Sequence, residues 1–250
     1  MKQWREYRAA FILILIMLCA WELAARLAEL PFIFPSPTGM LIRLWELREV
    51  LLFDHLPATL STIMIGLAIS IVLGAGLAVL MNVSSTVERA FYPILISSQT
   101  IPIIALAPIF VLWFGYSIWS KVVVTVLITF FPITVNTFDG LRSGNKALRE
   151  LLLTMGANKR EIFMKLSVPS ALPYFFSGLK VAVTMSVIGA AIGEWLGAQA
   201  GLGYFSRRMM TQFDGAGVFA PIVLLSAVGI VLFLIVVWLE KRLLKWRSKE

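Results

Sequence analysis

Long apolar stretches without charged residues alternate with short charged segments along the chain. Leu56–Val87 and Ala90–Ser120 each lack Asp, Glu, Lys and Arg. Because about 20 apolar residues cross the hydrocarbon core as a helix, each stretch is long enough to span a membrane. The pattern predicts an all-α integral membrane protein with six transmembrane helices, at about residues 9–30, 58–81, 90–114, 121–138, 178–197 and 217–239.

The first apolar run, Ala9–Trp21, follows a basic segment and can extend past Glu22 to about Leu30. Glu22 and Arg26 lie four residues apart and can pair on one face of a helix. A cleaved signal peptide is the alternative interpretation. The residues before Cys19 are Ile, Met and Leu, and no clear small-x-small pattern precedes Glu22. We therefore expect an uncleaved first transmembrane helix.

A shorter amphipathic segment, residues 37–53, separates the first two spans. Ser36 can cap its N-terminus, and Pro37 suits the first helical turn. Charged residues occupy one face, and apolar residues recur at helical spacing on the other, at Met40, Leu44, Leu47 and Leu51. The segment is too polar to span a membrane, so it is predicted to lie at the outer interface. His55 beside it has no second metal-ligating residue nearby and is predicted to be a surface residue.

Composition and charge support a membrane location with a defined orientation. The chain is 59% hydrophobic and only 14% charged, whereas soluble domains are about half apolar and about a quarter charged. The net charge of +8 does not indicate nucleic-acid binding, because the basic residues are dispersed at the ends of apolar runs. Most of the 22 Lys and Arg residues fall in inner segments if the N-terminus is cytoplasmic. The positive-inside rule then places the tails 1–8 and 240–250 and the loop 139–177 in the cytoplasm.

Small residues recur every four positions in two of the spans. Such stripes allow helices to approach closely in lipid, where shape complementarity drives packing. The stripes consist of Gly66, Ser70, Gly74 and Ala78 in one span and Gly189, Gly193 and Gly197 in another.

Four polar residues at membrane depth are candidates for a substrate pathway. Ser98 and Gln99 belong to a polar cluster just before Pro102, and Asn136 and Glu194 lie in later spans. Polar side chains beside a helix break face a bundle interior more often than lipid. The alternative is that these residues only form hydrogen bonds between helices.

The loop 139–177 contains the pattern of two short helices separated by a break. Lys146–Met155 carries an apolar face, and Gly156 occupies the position of a left-handed C-terminal glycine. Asn158, with Glu161 three residues later, forms a potential capping box. A second short helix would carry Ile162, Phe163 and Leu166 before Pro169 and Pro173 stop it. From composition alone, this loop could also be a solvated connector whose apolar face packs on the span ends.

The spacing of this loop resembles the EAA loop of ABC importer permeases. Glu150, Gly156 and Leu166-Ser-Val-Pro169 match its positions, although Leu151 and Leu152 replace both alanines. Further similarity to the sulfonate, nitrate and taurine branch of that family covers nearly the whole chain. It lies in Pro35-Ser-Pro, Ala105–Gly115, Phe131-Pro-Ile, Gly140-Leu-Arg and Ala171–Leu179.

The resemblance implies a six-helix permease of the type I class with a cytoplasmic coupling helix. It implies a permease dimer containing a second copy of this chain, two ATP-binding cassette subunits and an extracytoplasmic solute-binding protein. ATP and Mg would bind to the partner ATPase, since this chain has no Gly-x-x-x-x-Gly-Lys-Ser/Thr loop. The chain itself would be non-catalytic and would bind no cofactor or metal. The residues implied in ATPase coupling are Glu150, Gly156, Ala157, Asn158, Lys159, Arg160, Phe163 and Pro169.

The same resemblance suggests a small polar solute as the cargo. Ser97–Pro108 is most similar to permeases for pyrimidine precursors of thiamine, and the path has no obvious buried Arg or Lys to hold a sulfonate, which agrees with a neutral heterocycle. Aliphatic sulfonates, taurine and nitrate are the alternatives within the branch.

Two other functional classes fit the sequence less well. A secondary transporter would be expected to show inverted repeats or several buried carboxylates, and Glu194 is the main candidate carboxylate. An intramembrane enzyme would need a His/Asp/Glu or Ser/His constellation, but the chain has one histidine.

Overall fold

A computed structural model describes residues 2–245, and its regular secondary structure over that range is helical. Met1 and residues 246–250, which belong to the predicted tails 1–8 and 240–250, lie outside the described residues. Two π-helical turns, Val50–His55 and Phe163–Ser167, lead directly into longer helices. The α-helices are α1 (Lys2–Ala28), α2 (Pro37–Glu46), α3 (Leu56–Val83), α4 (Ser85–Ser98), α5 (Ile103–Phe114), α6 (Ile118–Arg142), α7 (Lys146–Thr154), α8 (Lys159–Ile162), α9 (Val168–Gly197), α10 (Leu202–Thr211) and α11 (Gly215–Leu243).

Within residues 2–245, five continuous helical stretches are long and apolar enough to cross a membrane, and a sixth is broken. α4 and α5 are bent by 102° at the break between them. The predicted span 90–114 is therefore not one straight helix. Pro102 lies at the break, where its missing N–H and its effect on the preceding residue both disfavour a helical turn. The continuous stretches are Phe11–Ala28, Val50–Val83, Ile118–Arg142, Lys159–Gly197 and Gly215–Leu243.

Helix α6 packs against both α3 and α9, and the predicted small-residue stripe of α3 forms the first contact. A side chain added at Gly74 would meet Thr134 at 3.0 Å, so the absence of one permits the close approach. Ser70 and Thr129 are joined by a hydrogen bond of 2.6 Å between their hydroxyl groups. Shape complementarity and the polar contacts of Ser70 therefore hold α3 on α6.

The second stripe lies on α9 and also packs on α6. A Cβ at Gly193 would lie 2.9 Å from the Cα of Lys121, and one at Gly189 would lie 3.0 Å from the Cα of Thr125. Gly178 continues the contact toward the other end of α6, where it packs on Asn136. Both stripes thus have the packing role that their spacing predicts.

The prediction that Pro169 and Pro173 stop the second loop helix is wrong. Helical structure continues from Lys159 to Gly197. The π-helical turn before α9 widens the helix, and the Val168 N–H donates to the carbonyl of Phe163, five residues earlier. Pro169 directly follows this widened turn, and the helix continues past it as α9. Pro173 is accommodated inside α9.

The structure of the outer segment 37–53 also differs from the single amphipathic helix that was predicted. α2 ends at Glu46, and residues from Val50 onward join α3 through the π-helical turn. The start of the segment is as predicted, since the Gly39 N–H donates to the capping Ser36 hydroxyl at 3.1 Å. The predicted pair of Glu22 and Arg26 is present, with 2.7 Å between Oε1 and Nε.

One long-range ion pair fastens the turn between α10 and α11 to α2. Arg43 lies 2.8 Å from the Asp214 carboxylate, which also caps α11 by accepting the Gly217 N–H at 2.8 Å. Hydrogen bonds to Glu46 and Asp214 raise the pKa of Arg43 above its usual value, so its guanidinium stays charged. The C-terminal end of α10 is therefore held in place.

Candidate functional site

The N-terminus of α10 is capped by three buried side chains, two of them from a distant part of the chain. The first N–H groups of a helix have no partner within the helix, so they need acceptors from elsewhere. Here three consecutive N–H groups each find one: Gly201 donates to His55 Nδ1 at 3.1 Å, Leu202 to Thr59 Oγ1 at 2.8 Å, and Gly203 to Glu194 Oε2 at 2.8 Å. We call His55, Thr59 and Glu194 the α10 cap.

The prediction that His55 lies on the surface is wrong. Its side chain is 7% exposed, and its ring packs on Phe205 at 4.9 Å between centroids. Because Nδ1 accepts a hydrogen bond, that nitrogen carries no proton in this arrangement. Thr59, which the sequence reasoning missed, lies one helical turn after His55. The four-residue spacing of these two polar side chains is the signal that could have indicated a shared contact.

Glu194 is buried behind α10, with 1% of its surface exposed. A Cβ at Gly201 would lie 2.5 Å from both carboxylate oxygens, so this close approach requires glycine. Gly201 also has a φ of +119°, which other residues rarely adopt. The second oxygen, Oε1, has no hydrogen-bond partner among the residues that the structure describes, while Lys121 on α6 interacts with the carboxylate electrostatically. The contacts of Glu194 with Gly201 and Gly203 therefore fix the start of α10 against α9.

The other predicted pathway residues lie elsewhere. Ser98 and Gln99 lie at the bend between α4 and α5, where the Ser98 hydroxyl donates to the Leu95 carbonyl at 2.7 Å. Asn136 donates to the Pro132 carbonyl at 2.8 Å and packs on Gly178.

The structure does not bring Asn136 and Glu194 together. At about 1.5 Å per residue, α9 places Glu194 roughly 24 Å from Gly178, the residue on which Asn136 packs.

A groove of about 550 Å³ lies between α9 and α11, and residues of α5 and α10 also line it. Its lining is mainly aliphatic, with one indole and three hydroxyl groups. Among the described residues that line it, none is charged. The residues that matter for its chemistry are Thr184, Ile188, Trp195, Ser206, Ser226 and Ile230.

The loop after α6 has the helix–turn–helix geometry that its sequence predicts. Gly156 has a φ of +82°. Its N–H donates to the Leu153 carbonyl at 3.0 Å, and the Ala157 N–H donates to the Leu152 carbonyl at 2.9 Å. These two bonds form a Schellman motif, which satisfies the last carbonyls of α7.

A capping box then starts the second helix of the loop. The Glu161 N–H donates to Asn158 Oδ1 at 3.0 Å, and the Asn158 N–H donates to Glu161 Oε2 at 2.8 Å. Each side chain thus satisfies a backbone donor of the other residue.

The two halves of the loop differ in their contacts with the bundle. In α8 and the following π-helical turn, Ile162 and Leu166 are buried, and Phe163 packs against the end of α6. In α7, which the structure describes in full, no side chain is buried. Leu151 and Met155 are 53% and 73% exposed. The connector interpretation required the apolar face of α7 to pack on the ends of the spans. That face is exposed instead.

The remaining predicted coupling residues lie around this turn. Glu150, Asn158, Lys159 and Arg160 are exposed, and Ala157 is half-buried. Pro169 is half-buried in the first turn of α9. Among the described residues, the structure contains no group of three or more His, Cys, Asp or Glu side chains that could hold a metal ion.

Comparisons with known proteins agree with this architecture. A family model described as "Binding-protein-dependent transport system inner membrane component" matches residues 70–245. The formylaminopyrimidine transport permease protein ThiX of Halalkalibacterium halodurans is 60% identical, over 98% of this chain and 99% of its own length. The riboflavin transport system permease protein RibX of Chloroflexus aurantiacus is 32% identical, over 95% and 89% of the two chains.

A solved structure shows the same fold. An inward-facing form of the MetNI methionine ABC transporter matches with a TM-score of 0.65 at 20% identity, over 80% of this chain and 97% of that chain. The family model and the first relative each cover most of this chain. The chain therefore belongs to the family of binding-protein-dependent transport system inner membrane components and is a multi-pass permease subunit of an ABC importer.

Proposed function

We propose that this permease imports a pyrimidine precursor of thiamine, of the formylaminopyrimidine type. The observation that carries the proposal is the 60% identity, over almost the full length of both chains, to a permease named for that cargo. The uncharged lining of the α9–α11 groove supports a neutral cargo over a sulfonate or nitrate, because an anion buried there would lack a partner.

The cytoplasmic loop is the proposed docking site for an ATP-binding cassette subunit. The exposed apolar face of α7 supports this role, since a patch of this kind on a polar loop indicates a protein partner. Glu150, Lys159 and Arg160 supply charges around it, and Gly156 and the capping box fix the angle of the two helices. Because α8 continues into α9, a push on the loop would pass to the bundle as a rigid-body movement.

The proposed assembly contains a second copy of this permease, two ATPase subunits that bind ATP and Mg, and an extracytoplasmic binding protein. In this arrangement the loop 139–177 and both termini face the cytoplasm. The distribution of Lys and Arg supports the orientation. ATP-driven closure of the ATPase pair would then switch the permease between inward- and outward-facing states.

Ser98, Gln99 and Asn136 remain proposed pathway residues. We expect Gln99→Ala and Asn136→Ala to reduce uptake severalfold while leaving ATPase association intact, because each removes a polar group without disturbing the loop. Uptake in proteoliposomes and co-purification of the ATPase measure the two effects. Gln212→Ala, at an exposed glutamine next to α10, is the control. Normal uptake in both test variants would indicate that these residues only stabilise helix packing.

The cargo is tested by uptake into proteoliposomes that contain the permease, its ATPase and its binding protein. We expect labelled formylaminopyrimidine to accumulate, and a tenfold excess of taurine, nitrate or an alkanesulfonate to leave that uptake unchanged. Accumulation of taurine or a sulfonate, with formylaminopyrimidine ineffective as a competitor, would contradict the proposed cargo.

A further inference from the structure

The hydroxyl groups of the α9–α11 groove are arranged as hydrogen-bond acceptors. The Thr184 hydroxyl donates to the Val181 carbonyl at 2.8 Å, and the Ser226 hydroxyl donates to the Ile222 carbonyl at 2.9 Å. A hydroxyl group has one proton to donate and two lone pairs. With their protons engaged within their own helices, these oxygens can only accept a hydrogen bond from a molecule in the groove.

The remaining lining matches the ring of a small planar molecule. Trp195 is 41% exposed and presents an indole beside aliphatic side chains from α9 and α11. The volume of about 550 Å³ falls in the range of roughly 300–1,000 Å³ that is usual for small-molecule sites. An aromatic surface, aliphatic walls and a few polar groups are the usual composition of such a site.

From these features, and resting on the proposed function, we propose that the α9–α11 groove binds the cargo in transit, as a neutral planar heterocycle that carries N–H groups. Thr184 and Ser226 accept hydrogen bonds from those N–H groups, and Trp195 contacts the ring. A formylamino group supplies a suitable N–H donor. A sulfonate or nitrate has no N–H donor and would find no cation among the described residues that line the groove.

The α10 cap supports the part of this groove that α10 lines. Gly203 and Ser206 of α10 belong to the lining, and the Gly203 N–H is the group that Glu194 holds. The Ser206 hydroxyl donates to the Val218 carbonyl at 3.1 Å, which ties α10 to α11. Glu194 is accordingly a positioning residue that acts through α10.

A first test compares two serines in the same local setting. Ser226 and Ser177 are both exposed, and each hydroxyl donates to the carbonyl four residues earlier, at 2.9 and 3.0 Å. Only Ser226 lines the groove. We expect Ser226→Ala and Thr184→Val each to reduce formylaminopyrimidine uptake roughly two- to tenfold, the effect of one lost hydrogen bond, and Ser177→Ala to leave it unchanged. Equal uptake in all three variants, with normal assembly, would overturn the proposal.

A second test asks directly what occupies the groove. Ile188 and Val181 are similarly exposed on α9, at 50% and 45%, but only Ile188 lines the groove. In a Cys19→Ser background, Ile188→Cys and Val181→Cys are labelled with a water-soluble maleimide in the reconstituted complex. We expect saturating formylaminopyrimidine, delivered by the binding protein with ATP, to slow labelling at position 188 at least fivefold and to leave position 181 unchanged.

The other outcomes identify other occupants and overturn the proposal. Cargo-independent cross-linking of two I188C chains by a short bismaleimide would indicate an interface between copies of this chain. Labelling of I188C in detergent but not in liposomes, with or without cargo, would indicate a lipid chain. If the cargo does not slow labelling at position 188 while the unmodified complex still imports formylaminopyrimidine, the result would contradict the groove proposal and leave the proposed function standing. Failure of the unmodified complex to import formylaminopyrimidine would instead contradict the proposed function.

Discussion

Gly156→Val is expected to abolish stable association with the ATPase. Gly156 has a φ of +82°, and a left-handed conformation costs an L-residue roughly 1–2 kcal/mol, more for a β-branched one. An added Cβ would meet no atom of the described residues within 4 Å, so the effect arises from the backbone and not from a steric clash. Valine would favour a different turn, break the Schellman bonds and change the angle between α7 and α8. Co-purification of the ATPase with a tagged permease measures the loss.

Two matched variants separate loop geometry from general strain. Gly115 also has a positive φ, of +63°, and open space around it, but it lies between α5 and α6. Gly115→Val should therefore lower thermal stability while preserving ATPase association. Gly156→Asn should retain part of the association, because asparagine tolerates the left-handed region better than valine. Normal assembly of the Gly156→Val complex would refute the proposed docking geometry.

Glu194→Ala is expected to lower stability by about 2–3 kcal/mol and uptake by about tenfold. The substitution leaves the buried Gly203 N–H without its acceptor, which costs roughly 1–3 kcal/mol, and adds a cavity. Glu194→Gln should retain most of both properties, because an amide oxygen can still accept the Gly203 N–H. Thermal unfolding in detergent and uptake in proteoliposomes provide the measurements.

The glutamine variant distinguishes a cap from an ion-coupling carboxylate. If Glu194 carried a transported proton or cation, Gln would abolish uptake as completely as Ala. A second pair of variants uses two fully buried threonines, Thr59 and Thr134. Thr59→Val removes the acceptor of the Leu202 N–H, whereas the Thr134 hydroxyl donates only to its own helix. Thr59→Val should therefore be the more destabilising, and equal effects would count against the cap.

Local chemistry made the loop predictable. Gly156, Asn158 and Glu161 act on backbone groups within five residues of themselves, so their spacing alone indicates the turn and the cap. The small-residue stripes were predictable because their four-residue period is visible in the sequence. The helix on which both stripes pack, α6, could not be predicted, since the choice among helices depends on tertiary packing.

The α10 cap as a whole could not be predicted because two of its three contacts join parts of the chain that are distant in the sequence. His55 and Thr59 reach N–H groups more than 140 residues away, and their four-residue spacing indicates a shared contact without identifying its partner. Pro169 and Pro173 misled the prediction because a π-helical turn and surrounding protein accommodate prolines that would end a helix in water. Sequence also could not locate the groove, which exists only once α9, α10 and α11 pack together.

The dependence of uptake on the ATPase tests the central claim most directly. Proteoliposomes containing the permease and its binding protein are prepared with and without the ATPase, and ATP is supplied on the side of the loop 139–177. We predict that formylaminopyrimidine uptake requires both ATPase and hydrolysable ATP, and persists when ionophores collapse the proton and sodium gradients. Uptake that continues without the ATPase and stops with the ionophores would show a secondary transporter and contradict the account.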